Sequence, residues 1–204
     1  MSAVSPWDVD PALQPSRLAL LARLAAEARQ SALDDARRDE GDTNWGIGCR
    51  AYERFVYKLS RASLGSARGW LGVVRDGLSF TIKIDRVVMR SYTGGPSKPE
   101  LRHVLAAQPL SAPVDARQLL LPFVASPQPE NDPRWVWLMA VENDDSGGVS
   151  RVVFFQAHPE GFTRNVWSPP PGALTRKHDR QPGPRRSPTA RRRARAASQA
   201  LFPI

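Results

Sequence analysis

Residues 70–92, Trp70-Leu71-Gly72-Val73-Val74-Arg75-Asp76-Gly77-Leu78-Ser79-Phe80-Thr81-Ile82-Lys83-Ile84-Asp85-Arg86-Val87-Val88-Met89-Arg90-Ser91-Tyr92, decide the fold. Asp76-Gly77 is a two-residue hairpin signal, because a type I′ turn needs positive φ at both central positions and this pair tolerates it. Pairing outward from that turn sets Arg75 against Leu78, Val73 against Phe80 and Leu71 against Ile82. Directly opposed residues share a face, so the apolar members fall on one side of the sheet. A second reversal at Asp85-Arg86 sets Ile84 against Val87 and Ile82 against Met89, again on that side. The other face carries Ser79, Thr81, Lys83 and Arg90, with Trp70, Val74, Val88 and Tyr92 among them. Three antiparallel strands result, with one face made for burial.

Working outward, residues 1–15 hold Pro6, Pro11 and Pro15 and read as an irregular lead-in. Ser16 is an N-cap candidate for a helix reaching Glu40. Its stripe is Leu18, Leu21, Ala25, Ala28, Ala32 and Ala36, and the charged, Ala-rich second half is expected to project into water. A second helix is expected over 47–64, with Cys49, Tyr52, Val56, Leu59 and Ser63 on one face, flanked by Phe55. After the hairpin strands, a short helix over 99–107 turns Leu101, Val104 and Leu105 inward, with Pro at its start. An apolar turn at 114–121 and a proline-rich loop at 125–133 follow. Strands are expected at 135–142 and 149–157, apolar on both faces and therefore central, and a last one at 162–167. The reading is α+β: two N-terminal helices on a mostly antiparallel sheet of five or six strands, forming one domain over 16–171. Residues 172–204, rich in Arg, Pro and Ala, read as a disordered tail, because so few apolar side chains cannot offset the entropy of ordering.

The net charge of +9 over 204 residues is unevenly spread. From Leu174 onward nine basic residues face Asp179 alone, a net +8, whereas the preceding 173 residues carry 20 basic and 19 acidic side chains, a net +1. Electrostatic attraction to nucleic acid therefore belongs to the tail. Arg185, Arg186, Arg191, Arg192, Arg193 and Arg195 can neutralise about five or six phosphates, giving a salt-dependent and sequence-independent affinity. No aromatic residue interleaves them, so base stacking is not indicated and contact is expected mainly with phosphates, with little specificity. No apolar run reaches the roughly 18–20 residues of a membrane span. The N-terminus lacks a basic and apolar leader, and a single cysteine suits the cytoplasm.

Residues with chemical potential are few. Cys49 reads as a small core filler on the apolar face of its helix; the competing reading is a nucleophile near a helix N-terminus. The histidines, His103, His158 and His178, have no metal-ligand spacing, and neither a metal nor a cofactor is expected. Glu142, Asp144 and Asp145 read as a solvated hairpin tip, since the turn is too short for an EF-hand. Gly46-Ile47-Gly48 lacks the third glycine and preceding strand of a phosphate loop.

The segment Gly41-Asp42-Thr43-Asn44-Trp45-Gly46-Ile47-Gly48-Cys49-Arg50-Ala51-Tyr52, the hairpin through Arg90-Ser91-Tyr92, the strand pair from Leu138 to Phe155 and the close Trp167-Ser168-Pro169 resemble a group of small uncharacterised bacterial proteins. The resemblance covers about residues 41–170. Such proteins accompany helix-turn-helix regulators and toxin–antitoxin-type partners on mobile DNA, and the resemblance assigns no residue a role. The expected function is non-catalytic: a cytoplasmic regulatory protein of a plasmid or similar element, in toxin–antitoxin control or interference with plasmid transfer. Its body binds a protein partner, through Trp70, Val74, Val88 and Tyr92, and its tail binds nucleic acid. Two alternatives stand beside it: a small toxin or enzyme whose site assembles from Cys49, Tyr52, Glu142 and His158, and a purely protein-binding inhibitor with an idle tail.

Overall fold

The computed structural model describes residues 4–76, 79–97, 99–107 and 134–174. The apolar alternation of 70–92 becomes β1 (Leu71–Asp76), β2 (Ser79–Ile84) and β3 (Val87–Thr93). Ile82 lies opposite Met89 and Ile84 opposite Val87, as the second turn predicts. The first hairpin differs: Asp76 pairs with Ser79, Val73 with Ile82 and Leu71 with Ile84. That is a shift of two residues. Alternation fixes which face a residue occupies, and an even shift leaves every face unchanged. The shifted register also pairs Lys83 and Ile84, and Asp85 N donates to Trp70 O at 2.7 Å one step beyond.

The sheet has six strands in sequence order, completed by β4 (Val136–Asn143), β5 (Val149–Ala157) and β6 (Thr163–Trp167). β3 and β4 run parallel, Met89 beside Trp137 and Thr93 beside Val141; every other pair is antiparallel. The sheet is thus mixed: two antiparallel meanders joined by one parallel seam. Parallel neighbours need a crossover, and α4 (Leu101–Ala107) lies on it. The expected segments at 114–121 and 125–133 fall outside the described residues.

Before the sheet come α1 (Pro6–Val9), α2 (Pro15–Asp34), a 3₁₀ turn (Arg38–Glu40) and α3 (Asn44–Leu64). The lead-in is therefore structured. Ser5 N donates to Asp8 Oδ2 at 3.0 Å, Trp7 packs edge-on against Trp167 at 5.7 Å, and Leu13 is fully buried. α2 stops at Asp34, short of Glu40, with no basic residue in its last turn and Asp34-Asp35 at the end where the helix dipole disfavours anions. Its second half does not project into water. Ala28 and Ala32 are buried, α3 packs along the whole helix, and Arg54 reaches Ser31 and Asp35.

Two cores form because β4 and β5 are apolar on both faces. On one face α2 and α3 cover Phe80, Ile82, Ile84, Met89, Met139 and Phe154. On the other, Val104 and Ala107 of α4 cover Leu138, Ala140, Val153 and Phe155. Leu101 and Leu105, expected to face inward, stand exposed. Beyond β6, Pro171–Ala173 form a 3₁₀ turn and Leu174 packs against the first core, so three residues expected in the tail, 172–174, belong to the folded body. Among the described residues no helix is long and apolar enough to cross a membrane.

Candidate functional site

β3 and β4 end side by side at Thr93 and Asn143. Beyond Thr93 the chain turns to α4 on one face, while α2 and α3 lie on the other. Here a groove of about 1060 Å³ lies between Arg29 of α2, Trp45, Cys49 and Tyr52 of α3, the ends Thr93 and Asn143, and the turn Asp144–Gly147. A pocket of about 270 Å³ shares Arg29, Tyr52, Thr93 and Asn143 and extends inward to Phe55, Tyr92 and His103.

The segment 41–52 builds one wall. Gly41, at φ +98°, closes the 3₁₀ turn in the left-handed region that glycine occupies without strain. Asp42 accepts both Arg50 guanidinium nitrogens, at 2.9 and 2.7 Å, and Arg37 N at 2.7 Å. The Arg50 hydrogen bond leads, and with the Arg37 amide it holds the carboxyl at about 2. Thr43 caps α3 through Oγ1, which accepts from Gly46 N at 3.2 Å. These contacts fix the angle at which the first turns of α3 overhang the sheet. Trp45 stands there 80% exposed.

The opposite lip is the acidic turn. Asp144 Oδ1 accepts from Ser146 Oγ at 2.5 Å and from Gly148 N at 3.0 Å, and the Ser146 bond leads in lowering its pKa. The turn is also tied to α2: Arg29 Nε donates to Gly147 O at 2.6 Å. Burial, followed by the nearby charge of Arg38, lowers the Arg29 pKa. Gly147 has φ +87°, and a Cβ there would stand 3.4 Å from Arg29 Nη2 and from Leu33 Cδ2. The backbone conformation is what calls for glycine here.

Cys49 is exposed and lines the groove, which corrects its assignment as a core filler. It sits on the same stripe of α3 as Tyr52, Val56 and Leu59. That stripe is core where the sheet lies beneath it and becomes groove wall where α3 overhangs the strand ends. His158 is not its partner. It is 2% exposed, beside Trp135 and Phe162, at the far end of β5 from the groove. At the strand rise of about 3.3 Å per residue that end is roughly 25 Å away. Glu142 is occupied by a two-point pair with Arg151 at 2.7 and 3.0 Å. Of the four residues of the enzyme reading, the groove brings together Cys49 and Tyr52 only. The histidine that reaches Tyr52's surroundings is His103.

The expected partner patch divides as well. Val74 and Val88 are exposed, 56% and 37%, on the side of β1–β3 that α2 and α3 leave open. Trp70 packs on the first core beneath the Arg17 guanidinium, 4.9 Å from its ring centroid. Tyr92 stacks on His103 at 4.6 Å and donates its hydroxyl to Gly95 O at 2.8 Å; burial leads in pushing its pKa up to about 12. Burial likewise lowers the His103 pKa. Arg185, Arg186, Arg191, Arg192, Arg193 and Arg195 lie outside the described residues. Among the described residues no three His, Cys, Asp or Glu side chains gather as a metal site.

Sequence reasoning missed Arg29 and Trp45. Arg29 is one arginine among many on a charged helix, and only the fold sets it against Gly147, 118 positions away. Trp45 carried a signal in hindsight: a tryptophan inside a capped helix start, off the apolar stripe. Comparison with protein-family models, curated proteins and solved structures finds no match.

Proposed function

We propose that this chain is a non-catalytic binding protein in two parts: an α+β body that engages a protein partner, and an arginine-rich segment that engages nucleic acid. The partition of charge carries the reading, +8 after Leu174 against +1 before it. Exposed Val74 and Val88 on the open face of β1–β3, next to the free edge of β1, supply the body's contact surface. The distance of His158 from Cys49, with Glu142 already paired to Arg151, supports binding over catalysis. A regulatory setting on a mobile element, in toxin–antitoxin control or plasmid transfer, has the sequence resemblance over 41–170 as its support.

The test compares the full chain with one ending at Leu174 for binding to mixed-sequence duplex DNA and to RNA across salt concentrations. The full chain is expected to give a log–log salt slope of about −5, from six arginines at 0.7–0.9 each. The shortened chain loses the affinity and the slope. Equal affinity and slope for both chains would overturn the assignment.

A further inference from the structure

Among the described residues, the two arginines that line the groove lack the carboxylate partner that many arginines of the body have, as do Arg61, Arg68 and Arg90 away from it. Elsewhere in the body, Arg17 meets Asp85, Arg50 meets Asp42, Arg54 meets Asp35, Arg75 meets Glu53 and Arg151 meets Glu142. Among the described residues no carboxylate pairs with Arg29 or Arg38. Arg29 is half-buried and spends Nε on Gly147 O; Arg38 donates Nη2 to Asn44 Oδ1 at 3.0 Å. Two guanidinium groups on the wall of one groove, one of them half-buried, form an arrangement that an anion relieves.

The geometry leaves room for that anion. With Nε anchored, the Nη edge of Arg29 is held in a fixed direction, the planar fork that matches carboxylate or phosphate oxygens. It lies beside Gly48 and Gly147, where a Cβ would stand 4.0 Å from Nη1 and 3.4 Å from Nη2. Both positions without side chains keep the approach open. Trp45, 80% exposed on the same groove, offers a large ring face that stacks on no other ring among the described residues. The acidic residues on the groove bound what fits. Glu53 is tied to Arg75 and Asp144 to its own turn, yet with Asp145 they place negative charge close to the arginines. A polyanion is repelled there and a single anion is not. The volume suits a small molecule.

We propose that the groove binds a small ligand joining one planar ring to one anionic group, the anion on Arg29 and Arg38 and the ring stacked on Trp45. The site is independent of the arginine-rich segment and goes beyond the two-part reading. Phosphate and carboxylate share this chemistry, so the probes separate them. Saturation-transfer NMR and equilibrium dialysis on the full chain use adenosine 5′-monophosphate, 2-naphthoate, adenosine and adenosine 5′-triphosphate.

One of the two singly functional anions is expected to bind about tenfold more tightly than neutral adenosine, and more tightly than the triphosphate. Which one binds identifies the anion. Arg29→Gln weakens it about tenfold, Arg29→Lys less, and Trp45→Ala about tenfold. Because Arg29 also anchors the turn, the exposed Trp45→Ala variant carries the test if Arg29→Gln melts early. Failure of both anions to bind at millimolar concentration, binding within twofold of the parent in Trp45→Ala, or triphosphate preferred over monophosphate would each overturn the site. So would capture by an acidic peptide alone, which would give the groove to a protein partner. None of these outcomes depends on DNA affinity, so this site and the two-part reading fail separately.

Discussion

At the scale of single residues, two side chains make the structure answer to pH in opposite directions. Asp42 titrates at about 2 against an ordinary 3.8 because Arg50 and the Arg37 amide stabilise its charged form. A depressed carboxyl contributes stability above its unfolded pKa and loses it as pH falls through the folded one. Asp42→Asn is therefore expected to flatten the acid limb between about pH 4 and pH 2, read from melting temperature against pH. Tyr92 is raised to about 12 from 10, so its contribution is intact below pH 10 and is lost as pH rises towards 12. Tyr92→Phe is expected to remove the highest-pH step of the phenolate absorbance titration. The residue scale is also where the sequence was least legible. Cys49 follows the apolar stripe faithfully, and nothing in a helical period says where the sheet beneath it ends.

At the scale of elements, alternation and turn chemistry made the faces of β1–β3 readable in advance, since period two fixes sidedness. Register was half readable. The second turn gave it, whereas the first was displaced by two because a longer ladder was available at no cost in sidedness. The β3–β4 pairing was not readable at all. The expected helix over 99–107 is the crossover that parallel neighbours need, but a helix between two strands does not by itself say that they are neighbours. The central place of β4 and β5 was readable, from runs apolar on both faces, and it has an energetic consequence. Phe154 is fully buried under α2 and α3, whereas Val74 lies on the open face. Phe154→Ala is expected to cost about 3–5 kcal/mol in denaturant unfolding, and Val74→Ala well under about 1 kcal/mol. Similar losses at both sites would mean that the open face of β1–β3 is covered.

At the scale of the whole chain, charge is distributed so that folding and solubility have separate sources. The body through Leu174 folds around two cores and is nearly neutral, while the following residues supply almost all of the +9. Near-zero net charge promotes self-association. A chain ending at Leu174 is therefore expected to lose solubility near neutral pH, measured by light scattering, while keeping the melting temperature of the full protein.

The parallel seam divides the polypeptide as well as the sheet. Among the described residues, those up to Ala107 carry one meander with its helical cover, and those from Val136 carry the other, with β4 and β5 apolar on both faces and no helix beyond a 3₁₀ turn. A backbone cut between the two leaves a first fragment furnished with helices and a second that must find it or precipitate. Co-expression of the severed halves should then rescue the second from inclusion bodies, which makes the seam a natural place to build a split reporter.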